Sequence, residues 1–359
     1  MSAAALASAR TLHLVDHQGV GGVQRAMIEL VRHERMDGAG DEIVLVERAL
    51  DIDRDFAAPA TPVHFLGLGD PDPRTLASRL RELATSRGAR VLQAHSASAL
   101  ALLSTAQAAG LRTLATLHEA PAELTWAARR RRRRVLRALD RFYVSTPALV
   151  EAWERAGRRP EVLPLAVDVQ RFHPGSEPSA WRASRLPDPE TLLVGSLMGA
   201  VDGKRDEILC EAVVRRHAAG RPTALMLVGN GPRFERRREL ARASDRIHIR
   251  RRVQDVTSWM AMIDVFALHA DAELVPMSLL EALSCGRPAV VADRGSVAEF
   301  VPREIVDYVG VGDVDGLVGV LDRLADEDVR LERARAGRQH VLEHHALNVA
   351  RGVLGPHYG

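Results

Sequence analysis

The sequence predicts an α/β chain made of two doubly wound domains, and three observations carry that reading. The chain has 359 residues, enough for about two domains, and 46% of them are hydrophobic, ample for two cores. Short apolar runs alternate with helical patterns along its length, which implies parallel sheets with helices on both faces. The alternation stops once, at a Pro- and Ser-rich linker over 175–189, and then begins again. Each half therefore reads as a Rossmann-like domain. The first spans 1–166 and the second 167–339, with a helical segment over 340–359 after it.

In the first half, strands are expected at 11–16, 42–46, 62–66, 90–94, 111–117 and 141–145, with helices at 73–86 and 97–109. The first strand runs into Gly19-Val-Gly-Gly22, and a helical pattern follows with Val23, Met27, Leu30 and Val31 on one face. This is not the dinucleotide GxGxxG. Gly21 and Gly22 let backbone approach a ligand with no Cβ in the way, or they simply make a tight turn. In such sheets ligands sit at the carboxyl ends of the strands. His95 follows one strand and reads as a surface histidine. His118, with Glu119 after it, ends an apolar run at the carboxyl edge and is a candidate site residue.

The second series places strands at 191–196, 223–229, 246–250, 264–269, 289–293 and 305–309, then a basic helical tail over 332–358. After the fifth of these elements the chain turns into 296–301. The stretch 264–301, DVFALHADAELVPMSLLEALSCGRPAVVADRGSVAEFV, is the richest in chemistry. Glu273 and Glu281 stand with seven residues between them. Pro276 suits a helix's first turn, so Glu273 falls in a loop and Glu281 inside a helix that Cys285-Gly286 ends. The free N–H groups of Met277, Ser278 and Leu279, with the helix dipole, would form a phosphate site. Two carboxylates flanking it suit a ligand with hydroxyls on both sides of a diphosphate, such as a sugar nucleotide. Ser278 to Glu281 is equally a capping box, in which Glu281 only closes its own helix end.

Composition narrows the classes. A net charge of +2 and 4% aromatic residues argue against a nucleic-acid binder. Cys210 and Cys285 both fall in apolar helical patterns, which points to a reducing, cytoplasmic compartment with no disulfide or metal framework. MSAAALASAR lacks a basic start and an apolar core, so no signal peptide is expected, and no apolar run approaches the ~18 residues that span a bilayer. Of 49 Lys and Arg, only Lys204 is a lysine. A chain that uses Arg everywhere else keeps Lys where a compact ammonium is needed and a planar guanidinium does not fit, or by chance at an exposed position. Arg129 to Arg134 is a run of six arginines in a helical stretch over 122–139. Consecutive residues point all around a helix, so the expectation is a solvated helix with no single face. The sharper alternative is an anionic partner, either membrane headgroups or an acidic acceptor, and Trp126 one turn earlier mildly favours the membrane.

These residues together resemble the signature of retaining glycosyltransferases of family 4, which have the GT-B fold. The family pattern is Glu, seven residues, Glu, then Ala-(Leu/Met)-small-(Cys/Ser)-Gly-x-Pro-Val-Val and a later Glu-hydrophobic-Val. Here it stands as Glu273, Glu281-Ala-Leu-Ser-Cys-Gly-Arg-Pro-Ala-Val-Val and Glu299-Phe-Val. GGVQRAMIEL from Gly21 is similar to the family's opening glycine loop, and 163–174 to its hinge, with Leu165 and Ala166 in place of Asn-Gly. Lys204 fills the Lys position of Gly-Arg-Leu…Lys-Gly, but Ser196 stands where the family has Arg, leaving Arg205 or Arg25 to substitute. Val228-Gly-Asn-Gly-Pro232 is similar to the turn beside the nucleoside, with Asn230 for Asp and Gly231 kept, and Val253 falls where backbone meets the base.

The resemblance implies two domains facing a central cleft, with the segment 340–359 crossing back onto the first, and transfer of a sugar from a nucleotide diphosphate sugar to an acceptor hydroxyl. It implies retention, no metal and no cofactor beyond the donor. Lys204, Gly22 and the helix N–H groups would meet the leaving diphosphate, Glu281 the ribose, Glu273 the sugar hydroxyls, and His118 the sugar on the acceptor side. Rival readings are a sugar-nucleotide 2-epimerase of the same fold, for which Asp16, His95 and Glu119 are the acid/base candidates, and a catalytically weak sugar-nucleotide-binding protein. The location expected is cytoplasmic, with the inner face of the cytoplasmic membrane as the peripheral alternative.

Overall fold

The computed structural model describes residues 10–15, 27, 31, 41–45, 62–67, 72–104, 110–186, 188–271, 276–294 and 297–358. The chain divides into two units, one running up to Ala166 and resuming at Leu347, the other Val167–Ala346.

The first unit holds a seven-stranded sheet of β1 (Arg10–Val15), β2 (Glu42–Leu45), β3 (Val63–Phe65), β4 (Ala89–Ala94), β5 (Arg112–Leu117), β6 (Arg141–Val144) and β7 (Glu161–Val162). Its order is β3-β2-β1-β4-β5-β6-β7, with every ladder parallel. Strand β7, two residues long and exposed, is too short to leave a periodic signal in sequence. One face packs Leu12, Leu14, Leu92, Leu117, Phe142 and Trp153. On the other, Val91, Leu114 and Tyr143 lie under Leu347, Ala350 and Leu354 of the last helix, Leu347–Tyr358. The change of unit comes at Leu347 and not at 340, because 340 lies inside a continuous helix, Glu327–His344, that belongs to the second unit.

The second unit holds β8 (Leu192–Leu197), β9 (Thr223–Val228), β10 (Ile247–Arg250), β11 (Val265–Leu268), β12 (Ala289–Ala292) and β13 (Asp307–Val309). Their order, β10-β9-β8-β11-β12-β13, is that of a doubly wound dinucleotide fold. These strands read as unbroken apolar runs because both faces are covered: β9, β11 and β12 are buried at every position. The strand order reverses between β8 and β11, and there the ladder is short, pairing Val265 with Val194 and Phe266 with Gly195 only. Ser196 and Leu197 pair on with β9 alone. A crevice therefore opens at the carboxyl ends of β8 and β11, the place such folds use for ligands.

Candidate donor-binding and acceptor-side sites

In the second unit, the loop after β8 crosses to the segment after β11. Lys204 forms an isolated antiparallel bridge with Ala270, Arg205 N–H donates to His269 O (3.0 Å), and Asp271 N–H to Gly203 O (2.8 Å). The only lysine of the chain is thus pinned by its backbone, half-buried, at the mouth of the switch-point crevice. Gly203 has φ +80°, which the reversal requires. Behind the loop, Arg237 donates from Nε to Asp206 Oδ2 (2.7 Å), from Nη2 to Asp206 Oδ1 (3.1 Å) and from Nη1 to Gly229 O (3.0 Å). This buried two-pronged pair ties the helix Asp206–Ala218 to the turn after β9, with geometry that charge-assisted bonds make specific.

The helix Met277–Ser284 starts at Pro276 with no side-chain cap and no acidic residue in its first turn. The helix Asp206–Ala218 differs, since Asp206 and Glu207 already meet its positive end. Ser278 lies inside the first helix and caps nothing, so the capping-box reading of Glu281 is not what the fold uses. The expected trio of free N–H groups is corrected to two. Leu279 N–H donates to Pro276 O (3.0 Å), a tight first turn, while those of Met277 and Ser278 have no partner among the described residues. Glu281 is 2% exposed, a carboxylate one turn into an otherwise apolar helix. Gly286 closes that helix at φ +67°, as read from the sequence.

Arg205, expected as a second cation, has its Nε on Asp271 Oδ1 (2.7 Å), and that bond holds its pKa above the ordinary value. Asn230 Oδ1 accepts from Arg251 Nη1 (2.6 Å), and the Arg251 guanidinium lies 3.9 Å over the Phe234 ring. Gly229 and Gly231 have a packing reason of their own: a Cβ would meet Met198 O at 1.9 Å and Ala200 O at 2.4 Å. Val253 is partly buried in the loop after β10. Gly21, Gly22, Arg25, Asp16 and Glu273 lie outside the described residues.

In the first unit, His118 follows β5 at 7% exposure, and neither ring nitrogen has a hydrogen-bond partner among the described residues. Burial lowers its pKa to about 4, so the ring is neutral at neutral pH. His95 is corrected from surface to core. It is 3% exposed, donates its N–H to Leu14 O (3.0 Å), and stacks on His118 with ring centres 6.5 Å apart. His13, which sequence reasoning passed over, completes a buried column: its Nδ1 is 3.0 Å from His95 Nε2, and its Nε2 is 3.6 Å from Asp41 Oδ2. The signal was present as polar residues at alternate positions of apolar strands, Thr11 and His13, Gln93 and His95, Thr116 and His118. Glu119 accepts from Ala97 N–H (3.2 Å) and is spent on the backbone.

Two doubly wound units of this order, with a lysine and an uncapped helix end at one switch point, define the class: a two-domain protein of the kind that handles nucleotides through a Rossmann-like crevice. Comparison with known proteins narrows it. Residues 20–171 match the family model "Glycosyltransferase Family 4" and residues 188–327 match "Glycosyl transferases group 1". The chain belongs to the family 4 glycosyltransferases. It is 31% identical, over 55% of its length and 56% of the relative's, to a GDP-mannose-dependent monoacylated alpha-(1-6)-phosphatidylinositol monomannoside mannosyltransferase of Corynebacterium glutamicum. It is 27% identical, over 57% of its length and 52% of the relative's, to a D-inositol 3-phosphate glycosyltransferase of Saccharomonospora viridis. The chain thus spans about half the length of these curated relatives. Among solved structures, it shares the fold of Anabaena Alr3699/HepE in complex with UDP and glucose (TM-score 0.79, 17% identity, 96% of this chain and 98% of that one). A Rickettsia africae glycosyltransferase gives TM-score 0.82 at 15% identity, with 98% of both chains covered.

Proposed function

We propose that the chain transfers a sugar from a nucleoside diphosphate sugar to an acceptor hydroxyl, with retention at the anomeric carbon and without a divalent cation. Two observations carry this: the bridge that holds Lys204 to Ala270, two residues past β11, and the acid-free helix end at Pro276 that follows β11 in the chain. A departing nucleoside diphosphate concentrates negative charge, and an ammonium with two oriented N–H groups stabilises it without reorganisation. Arg205, moving from Asp271 onto the phosphates, would supply the cation that Ser196 lacks. Glu281 takes the ribose hydroxyls and Glu273 the sugar hydroxyls. His118, neutral, offers the sugar a hydrogen bond and no charge, and the acceptor hydroxyl attacks from the face the leaving group vacates. A GDP-mannose-dependent relative and a fold neighbour crystallised with UDP support the donor class and leave the base open.

The test is a thermal-shift screen of nucleotide sugars, since a ligand at about 100 times its dissociation constant stabilises by ~2.7 kcal/mol. One donor should raise the melting temperature, and Lys204→Ala and Glu281→Ala should each abolish the shift while Arg131→Ala leaves it. A shift that survives Lys204→Ala would sink the assignment. Release of free nucleotide only when acceptor is added would separate transfer from binding alone.

A further inference from the structure

The six arginines do not share one face, but four of them do. The helix starts at Trp126, not at 122, and runs Trp126–Ala138 behind Thr125, whose hydroxyl caps it. Trp126, Arg130, Arg133 and Arg137 stand at i, i+4, i+7 and i+11 and make one line, with Arg129 and Arg134 beside it. These six side chains line one shallow groove. The opposite side is buried through Val135 and Leu136, and Arg132 turns inward, donating to Ala122 O (3.0 Å) and lying 5.6 Å over the Trp153 ring. Taking Arg132, which turns inward, and Arg131, which lies off the line, from the run of six and adding Arg137 leaves five outward arginines.

Surface arginines of the neighbouring helix, Ala148–Ala156, and the loop after it are balanced, Arg155 by Glu151 (3.3 Å) and Arg159 by Glu154 (2.6 Å). Those of the groove form no ion pair among the described residues. At the head of the line Trp126 is 74% exposed, the most exposed of the large hydrophobic side chains described, and Arg130 lies 5.5 Å over its ring. The acidic residues nearest in sequence are Glu123 and Asp140, both exposed, three residues beyond either end of the line, and neither forms an ion pair with its arginines among the described residues. A helix lying flat with cations along one line and an indole at its end matches an anionic bilayer surface. Indoles settle at the headgroup level and guanidiniums pair with lipid phosphates. A nucleic-acid strand would need several stacking rings, and this face has one.

We infer that the Trp126–Arg137 face docks the first unit on a membrane carrying anionic lipid, where the acceptor is met. This extends the reading above to the acceptor side, and its test uses no nucleotide sugar, so either can fail without the other. The probe is sedimentation with phosphatidylcholine vesicles, alone and with phosphatidylglycerol. Arg130→Gln/Arg134→Gln/Arg137→Gln is the variant of choice, because Arg129 bonds Leu124 O (2.8 Å) and Arg133 packs its stem on Gly157. Wild type should sediment with the anionic vesicles only and lose them at high salt. The triple variant should bind at least about ten-fold more weakly. Trp126→Ser should weaken binding while keeping the salt response, with melting temperature unchanged in both variants. Equal binding to neutral vesicles, a triple variant that binds like wild type, or retention on single-stranded nucleic acid with none on vesicles would each overturn the inference.

Discussion

Ser196 marks where this chain leaves its family's pattern, and its surroundings say what that departure costs. It is 1% exposed, sits where the β8–β11 ladder ends, and its hydroxyl has no hydrogen-bond partner among the described residues. A buried unpaired hydroxyl is a liability of about 1–3 kcal/mol. Ser196→Ala should therefore stabilise the chain by about 1 kcal/mol in urea unfolding and leave the nucleotide-sugar shift intact. Loss of that shift would instead make the hydroxyl a ligand contact. Lys204 allows a second test at this scale. Its backbone is fixed by Ala270 and its neighbour's carbonyl partner His269, so a longer planar head cannot slide back to fit. Lys204→Arg should lose most of the donor shift although charge is kept; a retained shift would leave the solitary lysine without a chemical reason.

At the scale of elements, helix Met277–Ser284 shows what could and could not be read in advance. Its end was legible because Gly286 needs a left-handed backbone and little else does. Its start was legible to within a residue or two of Met277 but not to the hydrogen bond, since whether Leu279 N–H turns back to Pro276 depends on the proline's φ −80° and ψ 54°, which no sequence rule fixes. The six arginines do point all around their helix, as their spacing requires, and the run alone does not reveal the face that four of them share. The face emerges only with Trp126 and Arg137 added and Arg132 removed, and the last is a tertiary fact. The helix's closing partner was also invisible. Arg338, from Glu327–His344, reaches Phe172 O, Ser284 O and Ser284 Oγ (each 2.7 Å) from Nη1 and Val169 O (3.1 Å) from Nη2. Arg338→Ala strips several buried acceptors at once and should cost roughly 3 kcal/mol, seen as a lower urea midpoint at unchanged slope. A midpoint within error of wild type would mean that water replaces the guanidinium without loss.

For the whole molecule, two parallel sheets follow from alternation and linker, whereas their strand order, and with it the histidine column across β1, β4 and β5, follows from which strands the fold sets side by side, and alternation is silent on that. The column gives the chain a pH response whose sign can be worked out. His118 is held down to about 4 by burial, and His95 well below its usual range by burial, with the His13 and His118 charges adding to it. Folded, both stay neutral; unfolded, both take a proton once pH drops below about 6.5. The unfolded chain then binds more protons, so stability falls as pH falls, from about 6.5 until His118 titrates in the folded state near 4. Across that window His118 alone withdraws roughly 3 kcal/mol. Glu42 acts at lower pH. Burial raises its pKa, but bonds from Arg87 and His64 outweigh that and hold it below its usual value, so its contribution is present above about 4.5 and fades beneath. Unfolding free energies measured from pH 7 to 5 should therefore decline in wild type, and His118→Asn, which cannot titrate, should decline less steeply by about one proton's worth, ~1.4 kcal/mol per pH unit. Parallel curves for the two proteins would show that His118 takes up its proton alike in the folded and the unfolded chain, and an imidazole kept neutral by burial below pH 6.5 would have to be abandoned.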